Sequence, residues 1–158
     1  MVLIKKINDK MINLSKTKFI FTIVILNFII SNMFNPIINL YEKYIGSLGG
    51  PGFTNLREEF IYAIILAPLL ETLIFQMGII KFFSLSEKIK NNKLLLIIIS
   101  AFFFGLAHGI YSILYMICAF IAGILLAYSF IVYEDKEKSG YWVTVIIHSL
   151  MNLITSVF

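Results

Sequence analysis

The sequence predicts an all-α membrane protein, a polytopic bundle of about five transmembrane helices. Hydrophobic residues make up 59% of the chain, and the mean hydropathy is +0.91. Charged residues make up only 14%, whereas a soluble domain carries about a quarter. Most of these charges lie between apolar runs, several of which approach the ~20 residues needed to cross a bilayer. Helices are expected because an open strand edge cannot satisfy its hydrogen bonds in lipid.

Five apolar segments follow one another along the chain, and we take each as a helix. They are residues 19–34, 60–80, 94–110, 111–133 and 141–158. The first, third and fifth are on the short side for a span. Pro36 is expected to end or kink the first helix just beyond its apolar run. The third and fourth segments touch, so residues 109–112 must form a tight turn between them.

Lysine and arginine placement predicts the orientation. Eleven of the thirteen basic residues fall in the N-terminal tail, the second loop and the fourth loop, and this bias predicts a cytoplasmic N-terminus and an outside C-terminus. The eleven are Lys5, Lys6, Lys10, Lys16, Lys18, Lys81, Lys88, Lys90, Lys93, Lys136 and Lys138. The loop of residues 41–59, which contains GSLGGPG, is then an outside flexible connection. The first apolar run is too long for a signal peptide and no small-residue cleavage site follows it, so we expect an uncleaved span.

The chain is expected to form one membrane domain over residues 1–158, located in the cell membrane as a multi-pass protein. No internal repeat or second domain is apparent in the sequence. The formal net charge of +4 is weak evidence for nucleic-acid binding, because lysines beside membrane spans are explained by topology. We therefore expect the lipid bilayer as a partner, and no nucleic acid.

Four polar side chains interrupt the apolar segments and carry the functional information. Glu71 lies in the second segment, His108 ends the third, and His148 and Asn152 share one helix face in the fifth. No lysine or arginine lies within the spans to pair with Glu71. A carboxylate inside a membrane is costly, so it indicates a functional site by default.

Chemistry suggests why these residue types would converge. A carboxylate such as Glu71 can act as a general base, with a histidine beside it to hold or polarise a water. A second imidazole and an amide can stabilise the oxyanion that forms when this water attacks a peptide carbonyl. The pattern therefore predicts a site for peptide hydrolysis within the membrane.

Other interpretations of the same residues remain open. Asn152 alone is typical of helix–helix hydrogen bonding. Glu71, His108 and His148 could bind a divalent metal such as zinc, although the signal is weak because the chain has no HExxH motif. A proton or ion pathway would also use these residue types.

The order of the motifs resembles that of the CAAX protease and bacteriocin-processing (CPBP) intramembrane proteases. ETLIFQ (residues 71–76) stands where the family has Glu-Glu-x-x-x-Arg, FGLAH (104–108) matches Phe-x-x-x-His, and HSLMN (148–152) matches His-x-x-x-Asn. The resemblance covers residues 67–158, the expected catalytic core. It implies that Glu71 and His108 activate water and that His148 and Asn152 support the oxyanion. The family has been described both as metalloproteases and as metal-free, glutamate-dependent proteases, and with one carboxylate in this motif we expect no cofactor to be required.

The resemblance also implies the substrate class and exposes two departures. Substrates would be peptides or membrane-anchored proteins, such as a bacteriocin or signalling precursor. Thr72 and Gln76 replace the family's second glutamate and its arginine, so neutral groups stand where the family could form an ion pair. We expect Thr72, Gln76, Phe75 and Phe104 to support the site. A catalytically inactive membrane partner or an immunity protein is the alternative.

Overall fold

The computed structural model describes the backbone of residues 2–157 and the side chains of residues 6–157. Helix accounts for 81% of the structure, and residues 2–157 contain no strand. We number the helices α1 (Val2–Ile12), α2 (Lys16–Tyr44), α3 (Leu56–Phe83), α4 (Lys93–His108), α5 (Ile113–Glu137) and α6 (Gly140–Val157). The predicted all-helical membrane bundle is confirmed.

Four of these helices, α2, α3, α5 and α6, are long and apolar enough to cross a membrane. The third predicted segment corresponds to α4, which has 16 residues and is therefore about 24 Å long. Its polar end residue, His108, is also the last residue of the helix, and the turn that follows lies where the sequence predicts it. Residue 158, the last position of the fifth predicted segment, lies outside the described residues.

The N-terminal region differs most from the prediction. Pro36 was expected to end or kink α2, and the helix does not end there, because it runs on to Tyr44 with Pro36 inside it. Membrane helices tolerate an internal proline because the surrounding structure compensates for the lost hydrogen bond. The basic tail ahead of α2, which carried no predicted helix, forms α1.

The helix α3 is not a uniform α-helix. Two stretches, Phe60–Leu66 and Thr72–Ile79, adopt the wider π-helical form, and the α-helical turn Ala67–Glu71 lies between them. A π-helix closes its hydrogen bonds over five residues instead of four, is rare, and often marks a functional site. Pro68 lies in the intervening turn and has no backbone N–H to donate.

Two apolar clusters hold the bundle together. The larger one joins the N-terminal half of α2 to α5 and α6, with Phe19, Leu126 and Ile147 fully buried. The second joins the ends of α3 and α4 to α5 around Phe130. The largest helix–helix contact is between α4 and α5. Because both clusters include α5, these contacts hold α3, α4 and α6 together in one bundle.

Three lysine–carboxylate pairs lie at one end of the bundle. There Lys16 lies 2.5 Å from Glu137, Lys81 lies 3.7 Å from Glu134, and Lys93 pairs with Asp135. Each pair is partly exposed and is worth at most about 1 kcal/mol. The pairs nevertheless place the start of α2 and the second and fourth loops on the same side, as the lysine pattern predicts.

Candidate active site

Glu71 lies at the junction between the α-helical turn and the second π-helical stretch of α3, near the middle of the helix. Its side chain is 27% exposed, so the carboxylate lies in a partly covered recess. One carboxylate oxygen, Oε2, faces α4 and α6, where the two histidines of the chain lie. The carboxylate is thus accessible while it is surrounded by polar groups on two sides.

His108 occupies the last position of α4, and Gly109 follows at once. Its Nε2 lies 3.8 Å from Glu71 Oε2. Its Nδ1 lies 2.8 Å from the carbonyl oxygen of Phe104, one helical turn earlier. A carbonyl oxygen can only accept, so Nδ1 carries a hydrogen and Nε2 of the neutral ring is an acceptor. The acceptor nitrogen of His108 therefore points towards Glu71.

His148 approaches the same carboxylate from α6. Its Nε2 lies 3.7 Å from Glu71 Oε2, and its side chain is only 6% exposed. Its Nδ1 is buried and has no hydrogen-bond partner among the side and main chains of residues 6–157. Three predicted site residues from three separate helices thus meet at one carboxylate oxygen. Both separations exceed the range of a direct hydrogen bond.

Phe104 connects the two imidazoles. Its ring centroid lies 4.6 Å from that of His108 and 5.6 Å from that of His148. Phe75 packs edge-on against it with a centroid distance of 5.6 Å. Aromatic pairs of this kind add about 0.5–1.5 kcal/mol beyond simple burial. Phe104 therefore packs against both histidines and Phe75 packs against Phe104, while the supporting role expected of these two residues stays a prediction.

Asn152 makes a contact that the sequence does not predict. Its Nδ2 donates to the carbonyl oxygen of Ala63 in the first π-helical stretch of α3, at 2.8 Å. This bond uses one of the two N–H groups of the carboxamide. His148 and Asn152 both face α3, as their spacing predicts. The role of Asn152 on an oxyanion stays a prediction.

Thr72 and Gln76, the two departures from the family motif, are completely buried. Neither Thr72 Oγ1 nor either polar atom of the Gln76 carboxamide has a hydrogen-bond partner among residues 6–157. The two side chains therefore lie in the interior of the bundle, whereas Glu71 beside them is partly exposed. Their supporting role stays a prediction.

Three further residues belong to the site's surroundings. The ring of Tyr115 lies nearly parallel to that of His108, at 11° and 5.8 Å between centroids. Ser100 and Tyr141 hydrogen-bond the carbonyl oxygens of Phe75 and Leu69 in α3, at 3.0 and 3.1 Å. Ser100 could have been noticed as an isolated polar residue in an apolar run. The contact of Tyr115 depends on how α4 packs on α5, which no local pattern reveals.

The same residues were candidates for a metal site. Among residues 6–157, no group of three histidine, cysteine, aspartate or glutamate side chains is arranged so that it could hold a metal ion. We therefore do not propose that Glu71, His108 and His148 hold a metal, and no step of the proposed chemistry passes through one.

Fold and site together define a helical membrane protein with a carboxylate–imidazole centre. Residues 55–154 match a family model described as type II CAAX prenyl endopeptidase Rce1-like. The chain belongs to this Rce1-like family, which is part of the CPBP family. Membership supports a membrane peptidase of the CAAX protease kind, acting on a peptide or protein. No curated protein and no solved structure matches the chain significantly.

Proposed function

We propose that this protein is an intramembrane endopeptidase in which Glu71 activates a water molecule for attack on a peptide bond. The observation that carries the proposal is the approach of two imidazole nitrogens, at 3.8 and 3.7 Å, to one accessible oxygen of Glu71. These three side chains come from α3, α4 and α6. A carboxylate in a membrane-spanning helix that lies next to two imidazoles, with no lysine or arginine in the predicted spans to neutralise it, is a functional arrangement by default.

The tautomer of His108 supports a specific role for each group. With Nδ1–H donating to Phe104, the free Nε2 accepts a hydrogen. A water beside Glu71 and His108 would donate one hydrogen to the carboxylate and one to Nε2. Its oxygen lone pairs would then face the substrate carbonyl carbon, which is the orientation that attack requires.

The proton and electron balance of hydrolysis can be followed through these residues. The water oxygen bonds to the carbonyl carbon of the substrate while Glu71 takes one proton from the water. The π electrons of the carbonyl move to the carbonyl oxygen, which becomes the oxyanion. His148, protonated on Nε2, would donate a hydrogen bond to this oxyanion. The C–N bond then breaks as the tetrahedral intermediate collapses, and the proton held by Glu71 passes to the departing amine.

We expect the substrate to be a membrane-associated protein or peptide precursor. A prenylated C-terminal peptide is the first probe, because the family model describes a prenyl endopeptidase. A bacteriocin-like or signalling precursor is the second. Lipid-anchored substrates would reach a site between membrane helices without leaving the bilayer. We place the N-terminus in the cytoplasm on the basis of the lysine distribution.

The test compares membranes that contain wild type, Glu71→Gln or Glu59→Gln at matched levels. Glu59 is the matched control, because it lies in α3 but outside the site. New protein termini in the membranes are identified by mass spectrometry, and cleavage of a farnesylated peptide and its unprenylated counterpart is followed by release of fluorescence. We expect Glu71→Gln to lower the rate at least about a hundredfold, and Glu59→Gln to leave it unchanged.

Two results would point elsewhere. If wild type and Glu71→Gln gave identical protein termini and the same cellular phenotype, the protein would be a non-catalytic partner or an immunity protein, and not an enzyme. Ion flux in proteoliposomes that depends on Glu71, without any peptide product, would indicate an ion pathway.

A further inference from the structure

The backbone around Pro68 leaves one carbonyl of α3 without its usual donor. The amide of Ala67 donates to the carbonyl oxygen of Tyr62, five residues earlier, so the hydrogen-bond register at this point is that of a π-helix. In this register the next residue, Pro68, would donate to the carbonyl oxygen of Ala63. Proline has no N–H, so the chain itself cannot make this bond.

Asn152 makes the bond instead. Its Nδ2 lies 2.8 Å from the Ala63 oxygen, which is a normal hydrogen-bond distance. An unpaired carbonyl in the bilayer interior is costly, so a donor from a neighbouring helix stabilises the packing of the two helices. Within α6, Asn152 lies one turn beyond His148, and both residues face α3.

We infer that Asn152 is a positioning residue that docks α6 on α3 by supplying the donor that Pro68 lacks, and so holds His148 beside Glu71. This bond fixes the distance between the two helices one turn from the imidazole. The inference concerns how the site is assembled, and its kinetic consequence rests on the proposed proteolysis.

A double-mutant cycle between positions 152 and 68 tests the inference. Asn152→Leu removes the donor with little change in shape. Pro68→Ala restores a backbone N–H, and Pro68→Val does the same with as many side-chain carbons as proline has. Thr155→Val is the matched control on α6, because the Thr155 hydroxyl donates at 3.0 Å to Met151 within its own helix.

Thermal unfolding in detergent provides a readout that needs no substrate. We expect Asn152→Leu to lower the Tm by about 2–4 °C in the wild-type background. In either Pro68 variant the same substitution should lower the Tm by less than half as much. Thr155→Val should lower the Tm equally in all three backgrounds.

Spectroscopy and kinetics then separate positioning from packing alone. The chain has two histidines, so ¹⁵N-histidine labelling gives two imidazole signal sets, which His148→Gln assigns. Asn152→Leu should shift the His148 signals and lower kcat about ten- to a hundredfold with KM nearly unchanged. When Pro68→Ala is added to Asn152→Leu, the His148 signals and kcat should both return towards those of the Pro68→Ala single variant, in which Asn152 is intact.

The outcomes distinguish this inference from the proposed function. Equal Tm losses from Asn152→Leu in all backgrounds would overturn it. So would a kcat loss that Pro68→Ala and Pro68→Val leave in full, because Asn152 would then act directly on the reacting oxygen. If wild type cleaves nothing, the proposed function fails, and the Tm cycle and the His148 signals alone decide whether Asn152 docks α6.

Discussion

Gly105 lies in the contact between α4 and α5. Replacing it with alanine tests the close packing of these two helices, which positions His108 at the end of α4. An ideal Cβ at this position would lie 2.9 Å from the carbonyl oxygen of Met116 and 2.9 Å from Cβ of Phe120. It would also lie 3.1 Å from the Phe120 Cα. Two of these three atoms belong to the backbone of α5, so the clash cannot be relieved by rotating a side chain.

Two opposing effects set the size of the change. Alanine is favoured over glycine inside a helix by about 0.8–1.0 kcal/mol. Overpacking of a close contact costs about 1–3 kcal/mol. Because the clashing atoms are largely backbone, we expect the packing cost to exceed the helix gain by about 1 kcal/mol. For a chain of this size, that lowers the Tm by about 2–4 °C.

The assay is thermal unfolding of the purified protein in detergent, with Gly52→Ala as the control. A Cβ at Gly52 would meet nothing within 4 Å, so the free energy of unfolding of this variant should lie within about 0.5 kcal/mol of the wild-type value. Peptidase activity should also fall in Gly105→Ala, because His108 lies three residues further along α4. A Gly105→Ala protein as stable as wild type, or more stable, would refute the close α4–α5 packing.

Three more expectations concern the site and the topology. Tyr115→Leu should lower kcat about two- to tenfold, because an aromatic contact is worth about 0.5–1.5 kcal/mol. Tyr115→Phe keeps the ring and should retain activity. Equal rates for the two variants would contradict a role for ring stacking on His108. Activity should survive prolonged dialysis against a chelator, and a loss that added zinc reverses would show that the site requires a metal. In a Cys118→Ser background, Ser47→Cys should react with a membrane-impermeant maleimide applied from outside, and Asn91→Cys should not. The reverse pattern of labelling would show that the protein has the opposite orientation to the one proposed.

Hydropathy and polar exceptions carry a large part of this protein's description. Apolar runs of nearly bilayer length predict the helices, because lipid leaves a backbone few other ways to satisfy its hydrogen bonds. Three of the residues that break those runs, Glu71, His108 and His148, are brought together in the structure. The cost of polar groups in lipid makes such residues visible in the sequence itself.

Helix ends were less predictable. Pro36 was expected to end or kink α2, and α2 continues through it. A proline removes one hydrogen bond, and whether the helix ends there depends on the surrounding structure. The π-helical stretches of α3 likewise have no signature in apolar periodicity.

What the tertiary structure alone decided is how the polar groups are used. The role of Asn152 at the oxyanion stays a prediction, whereas the fold shows that one N–H of its amide donates to the carbonyl oxygen of Ala63, for which Pro68 has no N–H to offer. Tyr115 lies beside His108 across the contact between α4 and α5, in which Gly105 leaves no room for a Cβ. Local composition determines which side chains are costly in the membrane. Their partners depend on distances between helices that are remote in sequence, and only packing sets those distances.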